Sequence, residues 1–406
     1  MIPIAEAIRI VEEQTPRLPA ETVALAGARG RVLAEDVVAD TDLPPFNRAL
    51  MDGYAVRAAD TEGATALAPA RLALVGEAAA GAGWRGELRP GEAVRIMTGA
   101  PVPAGADSVQ QVEVTRETEG GACVEIERAT APAQFITKRA TEITRGETVL
   151  RAGETIGASA MAALASFGYA SVRVGARPRV SVLATGSELV DVSAQPGADQ
   201  IRDSNTYSLL AYAEAAGARV EHAPFAGDDA ELLQRVIAES AERADVLVLS
   251  GGVSMGVYDF TKTALGALGA EIFFERVSLR PGKPTVFARL GRTLVFGLPG
   301  NPVSVSVTFN LFARTAIRAM QGASEAALAE EYAVLGRDVR GASERASYLP
   351  AELRADTAGR LVAEPLRWGG SSDFVAFTRA DALVIVEAGA RTIAAGTIVR
   401  VVRLPA

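Results

Sequence analysis

Cysteine and histidine are almost missing: the 406 residues hold only Cys123 and His222. An internal disulfide is therefore excluded, and so is a Cys/His cluster for zinc or iron; any metal must be held by oxygens. Cys123 in "ACVEIE" and His222 in "ARVEHAPF" alternate as strand residues do, which is the ordinary reading for both. A Ser-His-Asp or Cys-His nucleophile would have His222 as its one candidate base, which argues against such systems. No run approaches the roughly 18 apolar residues of a spanning helix. The opening "MIPIAEAIRIVEEQTPRL" carries Glu6, Glu12 and Glu13 where a secretion signal needs an unbroken apolar stretch. No membrane partner is expected, and the expected location is the cytoplasm. Positive charge is also short, with 41 Lys and Arg against 49 Asp and Glu, a net −8. That balance speaks against a nucleic-acid partner, which needs a basic stripe. It leaves an anionic small ligand open, since local cations and backbone amides decide that.

What is present is an ordinary globular mixture, 49% hydrophobic and 22% charged, long enough for two to four domains. From about 178 to 320 strand and helix alternate. "RVSVLA", "ARVEHAPF", "DVLVLS" and "EIFFERV" read as strands and "TVFARLGRTLVFG" as a hairpin around Gly291. "SNTYSLLAYAEAAG" reads as a helix capped by Ser204 and stopped at Gly217, and "AELLQRVIAESAER", "FTKTALGALG" and "VSVSVTFNLFARTAIRAM" as further helices. The alternation predicts a central, mainly parallel sheet covered by helices on both faces, an α/β fold. Short strands and turns before it predict a mixed N-terminal region, 1–177. The β-type runs after it predict a small barrel-like β domain at 327–406, leaving 178–326 for the α/β part. Right-handed crossovers put every strand-to-helix loop at the carboxyl edge of such a sheet. "TGSEL", "AGDD", "GGVSMGVYD" and "LPGNP" should therefore meet along one rim.

The rim loops have the chemistry of an anion site. Gly251, Gly252 and Gly256 let backbone amides approach a ligand, Ser250 and Ser254 can donate, and a helix starts near Asp259. A tight turn with Asp259 as a plain helix cap is the equal alternative. Gly300 and Asn301 follow Pro299 in a second such turn, and "RPGKP" sets Arg280 and Lys283 beside a third, a pairing suited to phosphate or a tetrahedral oxyanion. An exposed charge pair is the rival reading there. Glu188, Asp228 and Asp259 could together hold Mg²⁺, with helix capping as the competing role for the aspartates. "MDGYAV" and "IMTGAPVPAGAD" in the N-terminal region read only as two stiff turns.

In order, "MDGYAV", "IMTGAPVP", "TGSEL", "SGGVSMGVYD", "RPGKP" and "GLPGNPVS" resemble the molybdopterin molybdenumtransferase family, to which the E domain of gephyrin is related. The resemblance covers essentially the whole chain. It implies that molybdate and adenylylated molybdopterin react with help from Mg²⁺, inserting molybdenum and releasing AMP. It also implies two intertwined subdomains within 1–177, one inserted around 45–140, and a homodimer, with possible contacts to the molybdopterin adenylyltransferase and to cofactor-accepting enzymes. Carried over by motif, Asp52 and Thr98 are contributed by the N-terminal region across the dimer. Glu188, Asp228 and Asp259 are the rim acids, Arg276 and Arg280 the cations for oxyanion charge. Thr185, Gly186, Ser250, Gly251, Gly252, Ser254, Gly256, Lys283, Pro299, Gly300 and Asn301 hold the ligand. A molybdenum dithiolene needs soft thiolates, and one cysteine means that the sulfurs belong to the substrate. The chain departs from the family at Ala49, Ser187, Glu142, Arg276 and Arg280, where the family has serine, aspartate, a Gly-Glu-Asp-Ile stretch and two lysines. The molybdopterin adenylyltransferase, which shares the α/β domain, and a non-catalytic molybdopterin-binding scaffold are the alternative functions. The long N-terminal region and the C-terminal β domain favour the transferase.

Overall fold

The structure, a computed structural model, describes residues 1–223, 229–252, 260–341, 344–389 and 392–405. Asp228, Ser254, Gly256 and Asp259 lie outside the described residues. The chain divides into two compact units, one of 1–35, 151–162 and 170–406, the other of 36–150 and 163–169.

The larger unit is built on a six-stranded sheet. Arg219–His222, Arg179–Ala184, Val246–Ser250 and Thr293–Leu298 run parallel in that spatial order. The hairpin strand Val286–Leu290 and then Glu271–Phe274 continue it antiparallel. Successive side chains of a strand face opposite ways, and here each way meets a core. Val246, Val248 and Phe296 face the helices Ile4–Gln14, Asn205–Ala215 and the helical run Pro302–Met320. Leu247, Leu249 and Val295 face the helices Ala230–Arg243 and Phe260–Ala267. Burial on both faces explains why the central strands Val246–Ser250 and Thr293–Leu298 are apolar almost throughout, whereas the edge strand Arg219–His222 is mostly exposed.

Two helix starts show how local chemistry sets the boundaries. Asp229 Oδ1 accepts from the Leu232 amide at 3.0 Å, a plain N-cap. Ser204 occupies the N-cap position of Asn205–Ala215 but makes no capping bond; Asp203 Oδ1 accepts from the Thr206 amide instead, at 3.1 Å. The expected cap is thus displaced by one residue, because an aspartate one position earlier reaches the same orphan donor. Gly217, at φ +94°, ends that helix as expected.

In the same unit the strands Ala346–Ala355, Leu361–Pro365, Glu330–Leu335, Ile398–Arg403 and Ala382–Val386 pair in sequence, and the last pairs back to the first. Five strands therefore close a small barrel around Ala333, Leu335, Ala351, Val384 and Val401. Leu279–Arg280 adds a short parallel edge to Ala346–Ala355.

The second unit carries a six-stranded sheet in the order Ser108–Gln111, Gly53–Val56, Glu92–Ile96, Ala70–Ala78, Cys123–Ile126, Thr115–Thr118, antiparallel except where Ala70–Ala78 meets Glu92–Ile96. The fold class is thus α/β plus β with a mixed N-terminal part. No helix among the described residues is long and apolar enough to cross a membrane.

Candidate functional site

Register levels the rim. Ala184 stands opposite Ser250, and Ser250 opposite Leu298, so the turns after these three strands leave the sheet side by side. The chain steps from Arg179–Ala184 outward to Arg219–His222 and back to Val246–Ser250, which places the topological switch point between the first and last of these. The loop at 224–228 lies outside the described residues.

In the turn after Val246–Ser250, glycine is required for contact reasons. Gly251 has φ +92°, and a Cβ there would stand 2.5 Å from the Thr185 carbonyl oxygen. Gly252, at φ +64°, would press Thr261 Oγ1 at 2.6 Å. A Cβ on Gly300 would lie 3.8 Å from the Gly251 Cα, so the two glycine turns are immediate neighbours.

Asn205 ties them together. Its Nδ2 donates to Ser250 Oγ at 2.9 Å and to the Gly300 carbonyl at 2.7 Å. Thr185, Glu188, Ser250, Gly300 and Asn301 line one cleft of 650 Å³, together with Asp203 and Asn205. Glu188 is exposed there, its carboxylate folded over Gly186 so closely that a Cβ on that glycine would stand 2.4 Å from Glu188 Oε2. No cation lies within ion-pair distance of it among the described residues. The described residues contain no group of three or more metal-ligating side chains.

A second cleft, of 790 Å³, opens beside the first. Arg280, Lys283 and Pro299 line it from the α/β part, and Arg337, Arg340, Arg345 and Trp368 from the barrel. Five cations face one lining carboxylate, Asp338, so the cleft is locally basic in a chain of net charge −8. Asn301 lines both clefts, and its Nδ2 donates to Ser371 Oγ at 2.8 Å instead of capping the helix that follows. Arg276 is not part of this wall: it is exposed after Glu271–Phe274, and its carbonyl accepts from the Ile2 amide at 3.0 Å.

In the smaller unit, Gly53 stands opposite Ile96, which sets Asp52 and Thr98 side by side at the strand ends. Both the amide and the hydroxyl of Thr98 donate to Asp52 Oδ1 at 2.7 Å. These bonds hold the carboxyl below its ordinary 3.8, the backbone donor first. Gly53 itself cannot carry a side chain, because a Cβ would stand 1.9 Å from the Gln110 carbonyl oxygen.

The residues not anticipated from sequence are Asn205, Arg337, Arg340, Arg345 and Ser371. A signal existed for Asn205: in "DSN", three cap-type residues compete for one helix start, which leaves a polar side chain over for another task.

A switch-point rim with two adjacent glycine turns, beside a basic cleft walled by a β barrel, defines an α/β protein of the open-sheet class that takes a small ligand at its carboxyl edge. Residues 181–319 match the family described as the probable molybdopterin binding domain. Residues 2–168 match the MoeA N-terminal region (domain I and II), and 332–404 the MoeA C-terminal region (domain IV). A protein named molybdopterin molybdenumtransferase from Staphylococcus aureus (strain MSSA476) is 35% identical over 99% of this chain and 95% of its own length. One of the same name from Bacillus subtilis (strain 168) is 35% identical over 98% and 93%. The crystal structure of the molybdopterin biosynthesis moeA protein from Pyrococcus horikoshii OT3 superposes with a TM-score of 0.85 at 26% identity, covering 100% of both chains. The chain belongs to the molybdopterin molybdenumtransferase family.

Proposed function

We propose that the protein is a molybdopterin molybdenumtransferase, inserting molybdenum from molybdate into adenylylated molybdopterin with release of AMP. The observation that carries this reading is the junction of two clefts at Asn301, one lined by Thr185, Ser250, Gly300 and the Glu188 carboxylate, the other by five cations. The first suits a phosphorylated pterin, because the Ser250 hydroxyl can donate to a phosphate oxygen and the Gly300 turn carries no Cβ to block its approach. The second suits a tetrahedral dianion, for which Arg280, Lys283, Arg337, Arg340 and Arg345 offer fixed positive charge. The dithiolene sulfurs come with the substrate, so the protein's own work is to position both reactants and to offset the charge that builds on the departing phosphate.

Glu188 fits a hard divalent cation, being exposed in the rim cleft among hydroxyl and carbonyl oxygens. We propose Mg²⁺ there, held by Glu188 and by Asp228 and Asp259 from outside the described residues. When bound it would neutralise charge on the phosphoanhydride. Asp52 and Thr98 are proposed as the contribution of a second copy in a homodimer.

The test supplies purified protein with adenylylated molybdopterin and Mg²⁺, with and without molybdate, and follows AMP. Release that rises with molybdate is expected; release indifferent to molybdate would overturn the reading.

A further inference from the structure

We infer that Asn205 is a positioning residue that holds the two glycine turns at their working separation and turns the Ser250 hydroxyl proton toward the ligand cleft. The inference deepens the proposed function, since the ligand of that cleft is taken to be the phosphorylated pterin.

The orientation of the amide is set by chemistry. The Gly300 carbonyl can only accept, so the atom 2.7 Å from it is the donor Nδ2. The second Nδ2 proton goes to Ser250 Oγ at 2.9 Å. Both donors are thus spent on the ends of different strands, one on Val246–Ser250 and one on the turn after Thr293–Leu298. The cost sits at the other end of the same group: Asn205 Oδ1 is buried and has no hydrogen-bond partner among the described residues. A buried acceptor left unpaired is unfavourable, and the arrangement persists because the fold fixes the two donor bonds.

Ser250 carries the effect to the ligand. It is buried, at 2% exposure, yet lines the rim cleft. Its oxygen already accepts from Asn205, and among the described residues its own proton has no acceptor. A hydroxyl that accepts on one side is left to donate on the other, and the polarisation strengthens that donation. The ligand group it suits is an anionic oxygen, such as that of a phosphate.

The experiment measures two things on the full-length protein. Hydrogen exchange at the amides around Gly251 and Gly300 reports the clamp without any ligand; Asn205→Ala should lose protection there, and unchanged protection would overturn the clamp. Calorimetric titration with adenylylated molybdopterin reports the donor. Asn205→Ala and Ser250→Ala should each weaken binding about tenfold or more, and Asn205→Ala placed on Ser250→Ala should add less than about threefold. Equal binding by Asn205→Ala, or the same loss in both backgrounds, would refute an action through Ser250. Asn205→Gln keeps the amide and shifts it by one methylene, so it serves where the alanine variant fails to fold; native affinity and protection in it would also count against the inference. Should the unaltered protein not bind adenylylated molybdopterin at all, the proposed function falls, and the clamp is still decided by exchange.

Discussion

Thr98 spends both of its donors on one oxygen of Asp52, and the consequence is a carboxylate that stays ionised when others begin to protonate. Because the folded pKa lies below the unfolded one, its favourable contribution is present above the unfolded pKa and lost as pH falls through the folded one. Carboxyl NMR titration should place Asp52 below 3.8, and Thr98→Ala should move it up toward that value. Tyr54 behaves in the opposite sense. Burial, and then its hydrogen bond to Glu117 at 2.6 Å, push its hydroxyl up to about 12. That stabilisation is complete below the ordinary 10 and fades as pH rises from there toward 12. Tyr54→Phe should cost about 1.5 kcal/mol at neutral pH by urea unfolding, and should remove one of the two tyrosine components that titrate above the ordinary 10, the other being the buried Tyr348.

At the scale of the element, the glycines separate into two kinds. A Cβ added to Gly53 in its strand would meet the Gln110 carbonyl oxygen at 1.9 Å, whereas one added to Gly266 in the helix Phe260–Ala267 would have nothing within 4 Å. Gly53→Ala should therefore destabilise by about 2 kcal/mol or more, since the paired strands must part. Gly266→Ala should stabilise by about 0.5–1 kcal/mol, since the helix interior penalises glycine. Paired urea unfolding curves decide both. The same contrast explains what the sequence could tell. The alternating strand and helix pattern from Arg179 to Met320 was legible because the central strands Val246–Ser250 and Thr293–Leu298 are apolar along nearly their whole length and the helices between strands have recognisable starts and stops. "MDGYAV" was legible only as a turn, because the need for Gly53 comes from Gln110, a residue far along the chain that pairing brings alongside. Arg337, Arg340 and Arg345 were illegible for a similar reason: each is an ordinary surface arginine until the barrel sets it across from Lys283. Asn205 hid behind its own place at a helix start, where a cap was the simplest role.

For the whole molecule, charge is divided against its average: a chain of net −8 keeps five cations in one cleft. Screening should act on that cleft first. Raising salt from about 0.05 to about 0.2 M, where the Debye length falls under about 8 Å, should raise the molybdate KM in steady-state AMP release. Lys283→Ala should raise it several-fold while leaving affinity for the adenylylated pterin within about twofold. The proposed homodimer has its own readout. Asp52→Ala and Glu188→Ala, each inactive alone, should regain activity when the two variants are mixed under subunit exchange; no recovery would keep both residues' work within one chain.

Asn301 forms part of two walls at once. Reactants lodged on its two sides would be separated by a single amide, close enough to react without either returning to bulk water. Filling one chamber would then alter the other through that common partition, so the order in which the two reactants arrive should matter to the rate.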